Sequence, residues 1–141
     1  MIETATAEKW IFDTGTTDAI MIALVGTRWY NEGGPQGVTY PYVLYSHYAS
    51  NPDTLGMGAN RVLARLEYII CGIDNSRSYT RLTPIANQID ELFNMKGSIV
   101  IPGYGMILYS RRFQPFKLAE DLDTVNYRRL GGRYQIDVVP T

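Results

Sequence analysis

The amino-acid sequence predicts an α+β fold in which helices cover one face of a four-stranded, mostly antiparallel sheet. The periodic segments follow one another in the order helix, strand, strand, helix, strand, strand. The helical segments carry apolar stripes that must be buried against another layer. The chain has 141 residues and is 45% hydrophobic, which predicts a single domain spanning residues 1–141 with a core of its own.

The N-terminal segment predicts two short helices within residues 4–25. Ala7, Trp10 and Ile11 give the first helix an apolar stripe. The sequence DTG at 13–15 is expected to separate the helices, and the Thr/Asp residues that follow suit the cap of the second. Gly26 is expected to end the second helix, before the turn-forming sequence NEGGPQG.

Two strands are predicted next. The first covers residues 41–49, is rich in Val and Tyr, and ends at the turn-forming sequence SNPD at 50–53. A flexible segment at 54–58 separates it from the second, NRVLARLEYIICGID at 60–74. In that second strand, alternation places four residues on one face: Val62, Ala64, Leu66 and Tyr68.

A third helix is the clearest element of the sequence. Its apolar residues recur at three- and four-residue spacing: Leu82, Ile85, Ala86, Ile89, Leu92 and Phe93. Pro84 is tolerated only in the first turn, so the helix should begin near Leu82 or Thr83. Gly97 is expected to end it.

Two more strands are expected after this helix. One lies near residues 106–114 and the other in YRRLGGRYQIDVV at 127–139. The acidic sequence AEDLD at 119–123 is interpreted as a linker between them. The Gly131–Gly132 pair indicates a bulge or bend in the last strand.

Composition and charge exclude several classes of protein. A formal net charge of -1 argues against a general nucleic-acid or membrane-surface binder, which usually carries a basic excess. A single cysteine, Cys71, and a single histidine, His47, make an intrachain disulfide impossible and a structural zinc site improbable. The longest apolar run, residues 19–25, is too short to span a bilayer, and the N-terminus lacks a signal-peptide pattern. We therefore expect a soluble protein made in a cytoplasm.

The sequence offers little for catalysis. Nothing in it places a nucleophile or an orienting carboxylate beside His47, and Cys71 lies in an apolar strand typical of a core residue. The glycine-rich sequences GMGAN and GYGM lack the lysine and the context of a phosphate-binding loop. We expect no enzyme activity, no cofactor and no metal. A small hydrolase that uses His47 is kept only as a third hypothesis.

The strand in TYPYVLYSHYAS is unusually rich in tyrosine. Alternation places Tyr40, Tyr42 and Tyr48 on one face and Tyr45 on the other, beside His47. Because neither face is purely apolar, we interpret the strand as packing one face on the chain's own helices and offering tyrosines to a neighbouring subunit. All four are candidate subunit-interface residues. The alternative is a base-stacking platform for single-stranded nucleic acid, although a second aromatic strand is missing.

A local basic excess lies near the C-terminus. Residues 111–133 hold six basic and three acidic side chains, in a chain that is slightly acidic overall. Five arginines there are candidates for lining a lumen or contacting another subunit: Arg111, Arg112, Arg128, Arg129 and Arg133. The charges either keep a solvated sheet edge from aggregating or form a basic surface for passing phosphates or acidic groups on a neighbour.

Together these segments resemble the tail terminator family of phage tail-completion proteins. The resemblance rests on ALVGTRWYN, the PQG loop, TYPYVLYSHYAS, VLARLEYIICGID, TPIANQIDELFN and RRLGGRYQIDVV. It implies a small α+β domain that assembles as a ring, typically hexameric, at the head-proximal end of the tail in the virion neck. The long loop around SNPDTLGMG and the GYG segment depart from the family's pattern.

The resemblance also implies the partners. Such a ring caps the tail tube, contacts a head-completion or connector protein on its other side, and lets genomic DNA pass through its lumen without sequence-specific binding. Assembly in the host cytoplasm and incorporation into the virion follow, with no membrane involved. The family has no active-site residues, which agrees with the lack of catalytic candidates.

Overall fold

The structure is a computed structural model that describes residues 2–50, 54–55 and 61–140. The described residues form three helices: α1 (Ile2–Thr17), α2 (Ala19–Val25) and α3 (Leu82–Phe93). They also form seven strands: β1 (Trp29–Asn31), β2 (Tyr42–Ser50), β3 (Thr54–Leu55), β4 (Arg61–Asp74), β5 (Lys96–Ile101), β6 (Gly105–Asp121) and β7 (Asn126–Pro140). The turn expected at 50–53 and the flexible segment at 54–58 lie largely outside the described residues.

The strands form a curled, mixed sheet in the order β1-β2-β4-β7-β6-β5, and β3 pairs with β4. β1 pairs with β2 in parallel, whereas the other strand pairs are antiparallel. The expectation of a four-stranded sheet is therefore wrong. The four predicted strands are β2, β4, β6 and β7, and they occupy the centre, with β1 and β5 added at the two ends.

The two added strands lie directly beside helix ends. β1 has only 3 residues, too few to show a periodic pattern. β5 was not predicted, because Gly97 was expected to end α3. Instead α3 ends at Phe93, and Met95 has a φ of 58°, which turns the chain back toward the sheet. Gly97 lies inside β5, where a Cβ atom would come within 2.7 Å of the Leu108 carbonyl oxygen.

The first two helices separate at Asp18. α1 continues through the DTG sequence to Thr17, so the expected break at 13–15 is wrong. Gly15 is needed there for packing, since a Cβ atom would lie 2.4 Å from the Trp29 indole ring. The predicted cap and stop are confirmed: the Asp18 carboxylate accepts a hydrogen bond from the Met21 N–H at 3.0 Å, and Gly26 ends α2 with a φ of 63°.

The last two strands form one long hairpin. β6 extends to Asp121, well beyond the expected residue 114. The Leu122 N–H donates to the Val125 carbonyl oxygen at 2.8 Å and closes the turn. The sequence AEDLD is therefore the end of a strand and the start of a tight turn, not a linker.

The Gly131–Gly132 pair serves close packing rather than a bulge. β7 keeps an uninterrupted register with β4 through both glycines. The irregularity lies in the partner strand, between Arg112 and Gln114 of β6. A Cβ atom at position 131 would lie 2.1 Å from the Ile70 carbonyl oxygen. The glycine thus lets β7 approach β4 more closely than any other residue would.

One face of the sheet packs against the helices. The predicted alternation in β4 is confirmed for Ala64, Leu66 and Tyr68, which are buried; the side chain of Val62 lies outside the described ones. The apolar stripe of α3 packs here, and Trp10 of α1 meets Phe93 edge to face at 5.2 Å between ring centroids.

The opposite face, which we call the open face, has its own smaller apolar cluster. Tyr42, Leu44, Cys71 and Ile73 are buried in it, and none of its members comes from a helix. Partly buried side chains from the sheet and from the loop before β2 pack around it: Tyr30, Val38, Tyr40, Ile69 and Phe116.

Replacement of Gly131 tests the close approach of β4 and β7. Gly131→Ala forces a methyl group into the β4 backbone, so the free energy of unfolding should fall by about 1–3 kcal/mol, the usual cost of overpacking. Gly33→Ala is the matched control, because nothing lies within 4 Å of the added methyl. Urea denaturation of both variants should show a loss for the first and an unchanged or slightly raised stability for the second. Equal stabilities would contradict this packing.

Candidate interaction surfaces

The four candidate tyrosines lie in different environments. Tyr45 is 5% exposed and packs in the helix-covered core, with its ring 6.4 Å from that of Trp29. Tyr42 is 8% exposed in the open-face cluster. Tyr40 is partly buried and its ring lies 5.5 Å from that of Tyr42. Only Tyr48, at 55% exposure, offers most of its side chain to solvent.

The burial of these tyrosines has two consequences. A neighbouring subunit could reach Tyr48 and the outer part of Tyr40, whereas Tyr42 and Tyr45 support the surface from within. Subunit contact stays a prediction for all four.

Burial also raises the pKa values of the Tyr42 and Tyr45 hydroxyls above the ordinary value. Burial together with a hydrogen bond to Tyr127 raises the pKa of Tyr40 to about 12. These hydroxyls stay protonated at neutral pH and provide no base.

The five candidate arginines do not form one cluster, and each contacts a polar group of its own chain. The contacts are Arg111 with Gln135 at 3.4 Å, Arg112 with Asp90 at 3.4 Å, Arg128 with Asp121 at 2.9 Å, Arg129 with Glu120 at 3.6 Å and Arg133 with Glu67 at 3.0 Å. Arg128 is only 8% exposed. The local basic excess is thus largely neutralised within the chain.

An arginine on the open face lies over two aromatic rings. The Arg133 guanidinium lies 4.2 Å from the centroid of Tyr48 and 4.7 Å from that of Phe113. It donates hydrogen bonds to Glu67 at 3.0 Å and to Gln114 at 2.8 Å. We call the three stacked side chains the Tyr48–Arg133–Phe113 stack. It connects β2, β7 and β6, and the hydrogen bond to Glu67 adds β4. Tyr, Arg and Phe are side-chain types favoured at protein interfaces.

Sequence reasoning missed three members of this arrangement: Glu67, Phe113 and Gln114. Glu67 could have been found, because the alternation of β4 places it on the face opposite the buried Leu66 and Tyr68. Phe113 could not, because the register shift between Arg112 and Gln114 decides which way it points. Only the folded sheet brings these groups to Arg133, which is distant in sequence.

The two ends of the sheet differ in how the strands terminate. At one end, β1 is a terminal strand of 3 residues. At the other, β5 pairs with β6 only along Gly105–Ser110, so Arg111–Asp121 pairs with β7 alone among the described residues. We call Arg111–Asp121 the β6 edge. The β6 edge contains Pro115, which has no backbone N–H to donate. The backbone N–H of Arg112 on this edge donates to the Asn94 side chain at 2.9 Å.

The potential catalytic residues lie in packed surroundings. Cys71 is 1% exposed, and burial raises the pKa of its thiol to about 12, so the reactive thiolate is scarcely populated at neutral pH. His47 is partly buried and its ring lies 5.3 Å from that of Tyr68. Within the described ranges, we find no group of three His, Cys, Asp or Glu residues placed to hold a metal ion. No described helix is long and apolar enough to cross a membrane.

Comparisons with known proteins identify the fold. The sequence matches no protein-family model and no curated protein. A chain from the solved virion of a native gene transfer agent particle has a similar structure, with a TM-score of 0.73, 15% identity and 97% of each chain covered. A second solved chain, whose name carries no function, gives a TM-score of 0.50 at 14% identity over 99% of this chain and 96% of that one. At such identities the likeness establishes a common fold.

Loss of the Arg133 side chain tests the stack. Glu67 has 17% of its side chain exposed, so Arg133→Ala leaves a largely buried carboxylate without its cation. We expect the free energy of unfolding to fall by about 1–3 kcal/mol. Arg111→Ala is the matched control, since Arg111 is exposed and makes one long contact, and should change stability by less than about 0.5 kcal/mol. Equal losses in urea denaturation would show that the stack does not hold the face together.

Proposed function

We propose that this chain is a structural virion protein of the tail-completion type. It caps the tail tube as an oligomeric ring, hexameric in the form the sequence resemblance implies, and joins the tube to the head-proximal connector. Genomic DNA passes through the ring's lumen without sequence-specific binding. The observation that carries the proposal is the common fold with a chain of a gene transfer agent virion, aligned over 97% of both chains.

The charge arrangement supports a passage for DNA better than a binding site for it. A protein that binds nucleic acid tightly needs cations available to phosphates. Here the candidate arginines are engaged by carboxylates and amides of the same chain, including the bonds from Arg128 to Asp121 and from Arg133 to Glu67. A wall made of such neutralised pairs is polar yet weakly basic, so a duplex can slide past it.

The exposed apolar residues support contacts with other proteins. Ile20 and Ile22 on α2 are 57% and 46% exposed, and Val100 on β5 is 66% exposed. A subunit of a ring between a tube and a connector needs surfaces for two axial partners as well as for its neighbours. Exposed large apolar side chains on separate elements suit that requirement.

The alternative of a single-stranded nucleic-acid module is less well supported. A stacking platform needs exposed ring faces. Tyr42 and Tyr45 are 8% and 5% exposed, so two of the four tyrosines offered for that role lack them. The proposal also assigns no enzymatic reaction to the chain.

Binding to tail tubes tests this function directly. Purified chain carrying a gold label is mixed with polymerised tail tubes from the same particle and imaged by electron microscopy. We expect label at one end of each tube and a fixed number of copies per end. A parallel measurement with a single-stranded oligonucleotide at about 0.15 M salt should show no retention, because few cations are uncompensated. Label along the whole tube, no label, or tight oligonucleotide binding would contradict the proposal.

A further inference from the structure

Charges of opposite sign that form no ion pair among the described residues lie near opposite ends of the sheet. Glu8 and Glu32 lie beside β1 at one end of the strand order, and Lys117 lies on the β6 edge near the other end. Other charges of these regions pair within the chain, as Asp13 does with Lys9 and Asp121 with Arg128.

The acidic end is formed around β1 on the helix-covered side. Glu8 of α1 accepts a hydrogen bond from the Asn31 amide at the end of β1, and Glu32 follows directly. The Glu32 N–H donates to the carbonyl oxygen of Tyr45 at 2.9 Å, and Tyr45 pairs in register with Asn31, so Glu32 lies at the same end of the sheet as Glu8. No cation forms an ion pair with either carboxylate within the described part of the chain.

The β6 edge carries the complementary charge. Its acidic residues are already engaged, since Glu120 pairs with Arg129 and Asp121 with Arg128. Lys117 is exposed, lies 4.5 Å from the ring centroid of Tyr79, and has no acidic partner among the described side chains. Lys117 pairs in register with Leu130, which packs on the helix-covered core, so it lies on the same side of the sheet as Glu8.

Within one molecule Lys117 forms no ion pair with Glu8 or Glu32 among the described residues. Four strand intervals separate β1 from β6 in the sheet order, roughly 19 Å measured along the sheet at the usual spacing. A second molecule can supply the cation that the acidic end lacks. Pro115 and Lys117 also discourage indiscriminate strand pairing at this edge, which favours a partner with a matching acidic surface over any exposed strand.

We propose that the β6 edge of one copy docks against the β1 end of a second copy, with Lys117 facing the Glu8 and Glu32 carboxylates. The contact joins two different surfaces, so it is heterologous and repeats head to tail until a ring closes. The inference rests on the proposed function, because it names the subunit interface of that ring. Exposed charges steer the contact, so association weakens as salt rises.

Two charge reversals test this contact. Self-association is measured by sedimentation velocity at low salt, alone and on tail-tube ends, for the native chain, Lys117→Glu and Glu32→Lys. Each reversal places like charges together, so each variant should associate roughly tenfold more weakly or worse than the native chain. Arg111→Glu is the matched control, because Arg111 lies on the same edge but pairs with Gln135 on the open face, and it should have a smaller effect.

The reversed variants should rescue each other. In a mixture, the acidic β6 edge of the Lys117→Glu variant meets the basic β1 end of the Glu32→Lys variant. The unchanged β6 edge of the Glu32→Lys variant meets the unchanged β1 end of the Lys117→Glu variant. Alternating copies of the two variants should therefore assemble. The double variant should also associate with itself. Circular dichroism and thermal melting verify that every variant is folded.

Three results would overturn the inference. They are a native chain that stays monomeric both alone and on tubes, variants that associate as the native chain does, and a mixture that fails to rescue. If Glu32→Lys assembles normally while Lys117→Glu does not, Lys117 contacts a surface other than the β1 end, and the proposed contact is wrong. If the native chain still forms an oligomer at tube ends, the second or third result would leave the proposed function standing. A native chain that does not bind tube ends, or binds them only as a monomer, would refute that function separately.

Discussion

The close pairing of β4 with β7 is the constraint on which the rest of the structure depends. These two strands run side by side from Ala64 with Val138 to Asp74 with Arg128, and Gly131 allows their backbones to approach closely. Because side chains alternate along both strands, this one pairing supplies the helix-covered core through Tyr68 and Tyr134. It also supplies the open face through Glu67 and Arg133. A shift of one residue would exchange the two sets and destroy both surfaces.

The arginine side chains on the sheet are held in place by neighbouring groups, and their charges are largely neutralised. Arg133 is fixed by two rings and two hydrogen bonds, so little side-chain entropy remains to be lost when a partner covers it. Arg128 is held by Asp121 and by backbone carbonyl groups at the end of the hairpin. Such preorganised polar surfaces suit repeated protein contacts, and the few uncompensated charges, such as that of Lys117, then decide orientation more than affinity.

An element could be predicted from the sequence where residues close together in the chain determine it. Helix α3, strand β4 and the cap at Asp18 follow from local periodicity and capping chemistry, and the structure confirms them. Strands β1 and β5 could not be found, because one is very short and the other begins at a backbone reversal at Met95. The expected helix break at 13–15 failed because Gly15 accommodates Trp29, a contact distant in sequence. The candidate arginines were identifiable, but their carboxylate partners were not, since strand register decides them.

In the proposed arrangement, copies of this chain close into a ring at the head-proximal end of a tail, and each sheet edge contacts the next copy. A cryo-electron microscopy reconstruction of the head–tail junction of a virion that contains this chain would test this arrangement most directly. We expect density for this fold in a closed ring between the tube and the connector, with residues 111–121 of each copy against the β1 end of the next. The proposed arrangement is wrong if the chain is absent from the junction, or if its β6 edges face solvent or each other.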